Sequence, residues 1–300
     1  MTNPIPYIRD FDPDYGRLVR ISANVRRLTA HNPSPFSGWG TNVYIIGQNA
    51  VDLIDPGPNT DAHFDTLIKV LGDEKVRRIF VTHHHLDHSP MANRLAAHFG
   101  CQTFGYGPPK QQLSPGGVQM EAGDDDAFIP AVKVTDGQVF EGDGWSLEAI
   151  HTPGHTSNHM CYAVQDDNGL ICGDHIMAWS TTVISPPDGD MADYLVSLHK
   201  VMDRQFSTLW PGHGAAITAP APFIAAYIAH RHARNAQILE QLGQGQSQIK
   251  TMVPIMYADV DPGLYPAACH SVLAHMIHMV KTGTVICAGE PTLDSQYRLA

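Results

Sequence analysis

Cysteine is sparse in this chain and follows no pattern. The five present, Cys101, Cys161, Cys172, Cys269 and Cys287, are widely spaced, odd in number and form no CxxC pair. They read as reduced thiols of a cytoplasmic protein and not as a disulfide framework. The opening stretch, "MTNPIPYIRDFDPDYG", lacks the apolar core of a signal peptide. No apolar run approaches the roughly 20 residues that a membrane helix requires, so no membrane partner is expected. Charge is thin as well: 16% of the 300 residues are charged, and little of the chain looks disordered. Basic residues are the minority, 19 against 30 acidic, and the formal charge of −11 argues against a general polyanion binder while allowing a local basic patch. With 43% hydrophobic residues, the length suits one large domain, or a large one with a small companion.

Histidine is abundant by contrast. There are 18, and residues 81–90, "VTHHHLDHSP", hold four of them with one aspartate. A buried core does not accept so many titratable rings, and a solvated face would mix in Lys and Glu. The stretch follows the apolar run Ile79-Phe80-Val81 and reads as a strand running into a ligand-bearing loop.

The surrounding pattern sets its frame. "TNVYIIGQNAVDLIDPG" (41–57) predicts a β-hairpin, and "TDAHFDTLIKVLGDE" places Phe64, Leu67, Ile68 and Leu71 at helical spacing. "VRRIFVTH" predicts a strand and "SPMANRLAAHFG" a helix, with Ser89 as N-cap, Pro90 in the first turn and Gly100 as the stop. From 131, "AVKVTDGQVF", "WSLEAIHT", "HMCYAVQ" and "GLICGD" read as strands, and "DMADYLVSLHKVMD" returns to helix. Hairpin strands and helices in both halves suit a four-layer α/β sandwich. A boundary is expected near residue 217, in the Pro- and Ala-rich "ITAPAPF", giving domains 1–217 and 218–300. Beyond it, three helical segments and a terminal β-hairpin describe a small winged-helix module of balanced charge.

In an extended segment His83 and His85, two apart, face the same way. Asp87 and His88 follow at the turn into the helix, so one loop can serve two neighbouring ions. "HTPGHT" presents His155 after a Pro-Gly turn, "ICGDH" offers Asp174, and "LWPGHG" presents His213. Each lies just past a strand end, where functional groups collect in α/β architectures. Imidazole with carboxylate suits Zn²⁺, and also Fe or Mn.

In this order, "THHHLDHS", "TPGHT", "GDH" and "PGHG" resemble the metallo-β-lactamase superfamily over roughly residues 41–215. The resemblance implies the αββα sandwich fold and two metal ions. His83, His85 and His155 would hold one, Asp87, His88 and His213 the other, and Asp174 would bridge them. That shared carboxylate is lacking in the true β-lactamases of the superfamily but present in glyoxalase II and the phosphodiesterase branches. "STTVISPPDGDMADYLVSL", "HRHARNAQIL" and the winged-helix tail look like the beta-lactamase-like protein 2 group, members of which are hydrolases and some single-strand endoribonucleases. One departure is His84, where relatives commonly carry a smaller polar residue; alternation points it away from the metals.

Blander readings compete at several positions. His151 and His159 lie four residues either side of His155, and the Pro-Gly turn favours His155. Trp179, Ser180, Thr181 and Thr182 are candidates for a pocket mouth. His230, Arg231, His232 and Arg234 form either a basic patch for a phosphate-bearing substrate or a solvated helix face. The late His270, His275 and His278 read as faces of a packed helix. The mechanism implied is attack by a metal-bridging hydroxide, with Asp87 as ligand and proton acceptor. Substrate classes in competition are a small ester, thioester or lactone and single-stranded RNA. A third reading is a nucleic-acid-binding protein with one structural metal, which needs no second ligand set.

Overall fold

The computed structural model describes residues 4–110 and 123–300. The first sheet holds seven strands, whose spatial order follows the chain: β1 (Val19–Arg20), β2 (Val25–Thr29), β3 (Asn42–Gln48), β4 (Ala50–Ile54), β5 (Lys75–Phe80), β6 (Gln102–Gly105) and β7 (Val132–Lys133). The first four pair antiparallel and the later ones parallel. The switch is forced by the connections: a tight turn at Asn49, in the left-handed region at φ 62°, joins β3 to β4. Helices α1 (Asp61–Leu71) and α2 (Met91–Phe99) carry the chain back between parallel strands.

The second sheet runs β8 (Val139–Glu141), β9 (Ser146–His151), β10 (Met160–Val164), β11 (Gly169–Gly173) and β12 (Thr208–Pro211), with only the β11–β12 pair parallel. Their crossover contains α3 (Met191–Asp203). The central strands of both sheets are buried on both faces, and the period-two alternation sorts their side chains into layers. In β3, Tyr44 and Ile46 join Phe80, Phe140, Tyr162 and Trp210 between the sheets, while Val43 and Ile45 face Leu67, Leu71 and Leu95 of α1 and α2. On the far side, Ile150, Cys161 and Leu170 pack against Tyr194, Leu198 and Val201 of α3. Helix, sheet, sheet and helix make the four layers expected.

Beyond β12 the chain forms α4 (Pro220–Gly243), α5 (Ile249–Met256), α6 (Tyr265–Lys281) and the hairpin β13 (Val285–Cys287) with β14 (Tyr297–Leu299). Helix α4 serves two cores. Phe223, Ile224 and Tyr227 pack beside α3, whereas Ile238 and Leu242 pack with Met252, Val272 and Met276 of the C-terminal helices. No helix among the described residues is long and apolar enough to cross a membrane.

One local expectation needs correction, and one open alternative closes. Ser89 does not cap α2: its hydroxyl bonds the Asp125 carboxylate at 2.6 Å, and Pro90 holds the cap position with no side-chain bond. The deeper acceptor wins because Ser89 is fully buried. Arg231 lies on no solvated face either; it is 2% exposed, and its Nη2 donates to the Thr182 carbonyl at 2.6 Å.

Asp190 joins α3 to the C-terminal domain. Its Oδ1 accepts from the Ala192 and Asp193 amides, and its Oδ2 pairs with Lys281 Nζ at 2.9 Å. Partial burial pushes the carboxyl pKa up, but Lys281 and the two amides outweigh it and hold the pKa below the usual value. A depressed folded pKa stabilises the protein above the ordinary aspartate value and is lost as pH falls through the folded one. Asp190→Ala should therefore cost about 1 kcal/mol at neutral pH. In denaturant titrations its difference from wild type should shrink as pH drops beneath about 4.

Candidate metal centre

The seven residues singled out by sequence converge in two buried groups. His83, His85, His155 and Asp174 offer ligand atoms within 4.8 Å of one another, and so do Asp87, His88 and His213. The loop after β5 supplies four of them. His155 follows the Pro153-Gly154 turn, Asp174 comes directly after β11, and His213 lies two residues past β12. The turns carry glycine for steric reasons. A Cβ on Gly154 would lie 2.3 Å from the Tyr194 backbone, and one on Gly212 would lie 2.4 Å from Asp174 Oδ1.

Hydrogen bonds on the outer side of each ring fix which nitrogen faces the centre. Thr82 Oγ1 donates to Asp55 Oδ2 at 2.7 Å, so at 2.9 Å it accepts from His83 Nδ1–H. His88 Nδ1–H donates to Asp55 Oδ2 at 2.9 Å, His155 Nδ1–H to the Val183 carbonyl at 2.7 Å, and His213 Nδ1–H to the Gly40 carbonyl at 3.1 Å. His85 turns its Nε2 toward Asp124 Oδ1 at 3.5 Å and its Nδ1 inward.

Inward-facing nitrogens therefore crowd one another. His83 Nε2 stands 3.0 Å from His85 Nδ1, which stands 3.3 Å from His155 Nε2, while His88 and His213 bring their Nε2 atoms to 3.2 Å. Asp174 spans both groups, with Oδ1 3.5 Å from His88 Nε2 and Oδ2 3.4 Å from His213 Nε2 and 4.0 Å from His155 Nε2. Its buried Oδ1 has no hydrogen-bond partner. Acceptors facing acceptors in a dry site require a cation or protons between them. The donor set fits divalent ions.

Without an ion the charges respond accordingly. Burial drives the His83 pKa well below normal, reinforced by neighbouring imidazoles, and takes His85 to about 3. Burial opposes the charged form at His213 too, but Asp174 and Asp87 prevail and raise it to about 10. Asp87 falls to about 2 against the desolvation cost, because His88 and His213 stand beside it.

The competing histidines are struts. His151 stacks on Tyr106 at 4.1 Å, and His159 sits between the Thr152 hydroxyl and the Asp174 amide. His84 points away from the inward nitrogens as alternation requires, yet it is buried, 3.1 Å from Asn158 Oδ1 and 3.2 Å from Asp124. His275 packs in α6 with Nδ1 2.6 Å from Asn235 Oδ1. Three residues that orient the ligands escaped sequence reasoning: Asp55, Thr82 and Asp124. The available signal was the carboxylate closing the apolar strand in "DLIDPG".

Comparison with known proteins agrees with this geometry. Residues 37–213 match the metallo-beta-lactamase superfamily, and 249–291 match the beta-lactamase associated winged helix domain. A beta-lactamase-like protein 2 homolog of Drosophila melanogaster is 32% identical, covering 89% of this chain and 91% of its own. An atrochrysone carboxyl ACP thioesterase of Aspergillus chevalieri is 29% identical over 79% of this chain and 71% of its own. A beta-lactamase domain protein from Burkholderia ambifaria shares the fold, with a TM-score of 0.80 at 20% identity over 98% of this chain and 97% of its own. The match to the catalytic domain and the full-length likeness place the chain in the metallo-beta-lactamase superfamily, as a hydrolase carrying the associated winged helix domain.

Proposed function

We propose that the protein is a dinuclear metal-dependent hydrolase of a small thioester, ester or lactone, with zinc as the ion and iron or manganese as alternatives. One ion would rest on His83, His85 and His155, the other on Asp87, His88 and His213, with Asp174 shared. One observation carries the substrate class. A cavity of about 270 Å³, walled by Phe36, Trp179, Tyr257 and Leu264, lies behind the segment that props two of these residues. Its Thr182 and Val183 also hold the Asp174 backbone and His155 Nδ1. An apolar wall anchored to the ligands suits an acyl group. The thioesterase relatives support this reading.

Bound, the ions would acidify a water and polarise the substrate carbonyl. The chain's own groups do the rest. Asp87, held ionised, takes the water's proton at a carboxylate oxygen that Thr41 Oγ1 approaches at 3.5 Å. The water oxygen joins the acyl carbon, the C–S bond breaks, and the thiolate leaves to be protonated. The aromatic wall keeps bulk water from the acyl chain.

Single-stranded RNA is the alternative substrate, resting on the winged helix domain. The ion pairs Lys250–Asp294 at 2.6 Å and Lys281–Asp190 at 2.9 Å neutralise cations that a phosphate backbone would need. Metal analysis with turnover of a thioester, a lactone, a phosphodiester and a short RNA decides between them. Cleavage of RNA alone would sink the thioester reading.

Asp174→Asn should keep the fold and weaken the second ion most, with hydrolysis down about a hundredfold or more. Elemental analysis, thermal unfolding and turnover check this, and retention of both ions at near-normal rate would end the bridging role.

His84→Thr should keep both ions and lose no more than roughly tenfold in rate, through looser support of Asp124. Loss of an ion would put the ligand register in error.

His213, raised to about 10, keeps its proton at neutral pH in the metal-free protein and must release it to bind an ion. Calorimetric zinc titrations near pH 7.5, in buffers of different ionisation enthalpy, should show proton release, and affinity should fall as pH is lowered. Uptake without proton release would contradict this charge state.

A further inference from the structure

The cavity walled by Thr182 and Val183 has a polar end that the hydrolytic reading does not use. Helix α4 brings His230, Arg231 and Arg234 to its wall, and no acidic side chain lines it among the described residues. Arg231 is 2% exposed and forms no ion pair with a described residue. Its Nη2 bonds the Thr182 carbonyl, while its Nε has no partner. Two further buried ring nitrogens of the same wall, Trp179 Nε1 and His230 Nδ1, are also unpartnered. Arg234 lies over the Tyr257 ring at 4.0 Å, which fixes its charge at the cavity rim. A buried guanidinium without a counter-charge is costly unless a ligand supplies one.

We propose that this end of the cavity is an oxyanion subsite, in which Arg231, assisted by Arg234, His230 and the Trp179 N–H, holds a carboxylate or phosphate of the substrate. The inference rests on the thioester reading for what the anion is attached to. Two sources share the chemistry: a carboxylate at the far end of the acyl group, or a phosphate on the thiol carrier. A guanidinium fork recognises either, and the apolar walls take the intervening chain. The bond to the Thr182 carbonyl and the Tyr194 ring at 5.1 Å hold the guanidinium in place, with Nε left as the unpartnered donor.

The test compares adipoyl and hexanoyl thioesters of N-acetylcysteamine, and hexanoyl thioesters on thiols with and without phosphate, using the zinc-loaded protein. One of the two oxyanion-bearing members should be preferred by roughly ten- to hundredfold in kcat/KM, through KM. Which pair shows it identifies the source. Arg231→Gln should abolish the preference and Arg231→Lys retain part of it. Calorimetric titration with adipate and with inorganic phosphate reads the subsite without catalysis, so it still decides if no thioester is hydrolysed. Binding to wild type that is lost in Arg231→Gln upholds the subsite even as the thioester reading falls. If Arg231→Gln does not fold, Arg234→Gln and His230→Ala should each reduce the same preference. Equal slowing of charged and neutral substrates would leave Arg231 a prop for Thr182 and overturn the proposal. So would the absence of any preference together with no anion binding.

Discussion

The candidate metal centre depends on one carboxylate that belongs to neither cluster. Asp55, 1% exposed at the end of β4, accepts from the Thr82 amide and hydroxyl at 2.7 Å each and from His88 Nδ1 at 2.9 Å. Through Thr82 it also sets the His83 ring, so one group fixes the inward nitrogen in both clusters. Water cannot compete for these bonds at such burial, and their directionality is strong where the dielectric is low. The ring orientations are therefore set by the polypeptide before any ion arrives, which is the condition for a precise site on loops.

The seven converging residues were legible in sequence because each is announced locally. An apolar strand ends, a turn residue follows, and an imidazole or carboxylate stands at a fixed offset. Their supports were not. Asp55 and His88 are 33 positions apart, and Val183 is 28 from His155. Such pairs exist only once β4 and β5 lie side by side, or once β11 and the segment after it fold back over the His155 turn. Asp124 is harder still, since nothing in its acidic neighbourhood separates it from a solvated turn.

The layers were legible for the same local reason: period-two runs in β3 and β10, helical spacing in α1 and α3. The misreading of Ser89 came where burial overrode a local rule, and Arg231 could not be decided from its local pattern. Ser89 has the chemistry of a helix cap, but Asp125 lies within 2.6 Å and offers a charged acceptor. Arg231 sits in a polar run that suggests solvent, yet the second half of the chain closes over it.

Helix α4 has a mechanical consequence. At 24 residues it is a rod about 36 Å long, clamped near its start by Phe223 and Tyr227 and near its end by Ile238 and Leu242. Arg231 lies between the clamps, braced on the Thr182–Val183 segment that also steadies His155. The C-terminal domain thus meets the cavity twice, through Tyr257 and Leu264 in its wall and through the stiff rod that carries Arg231.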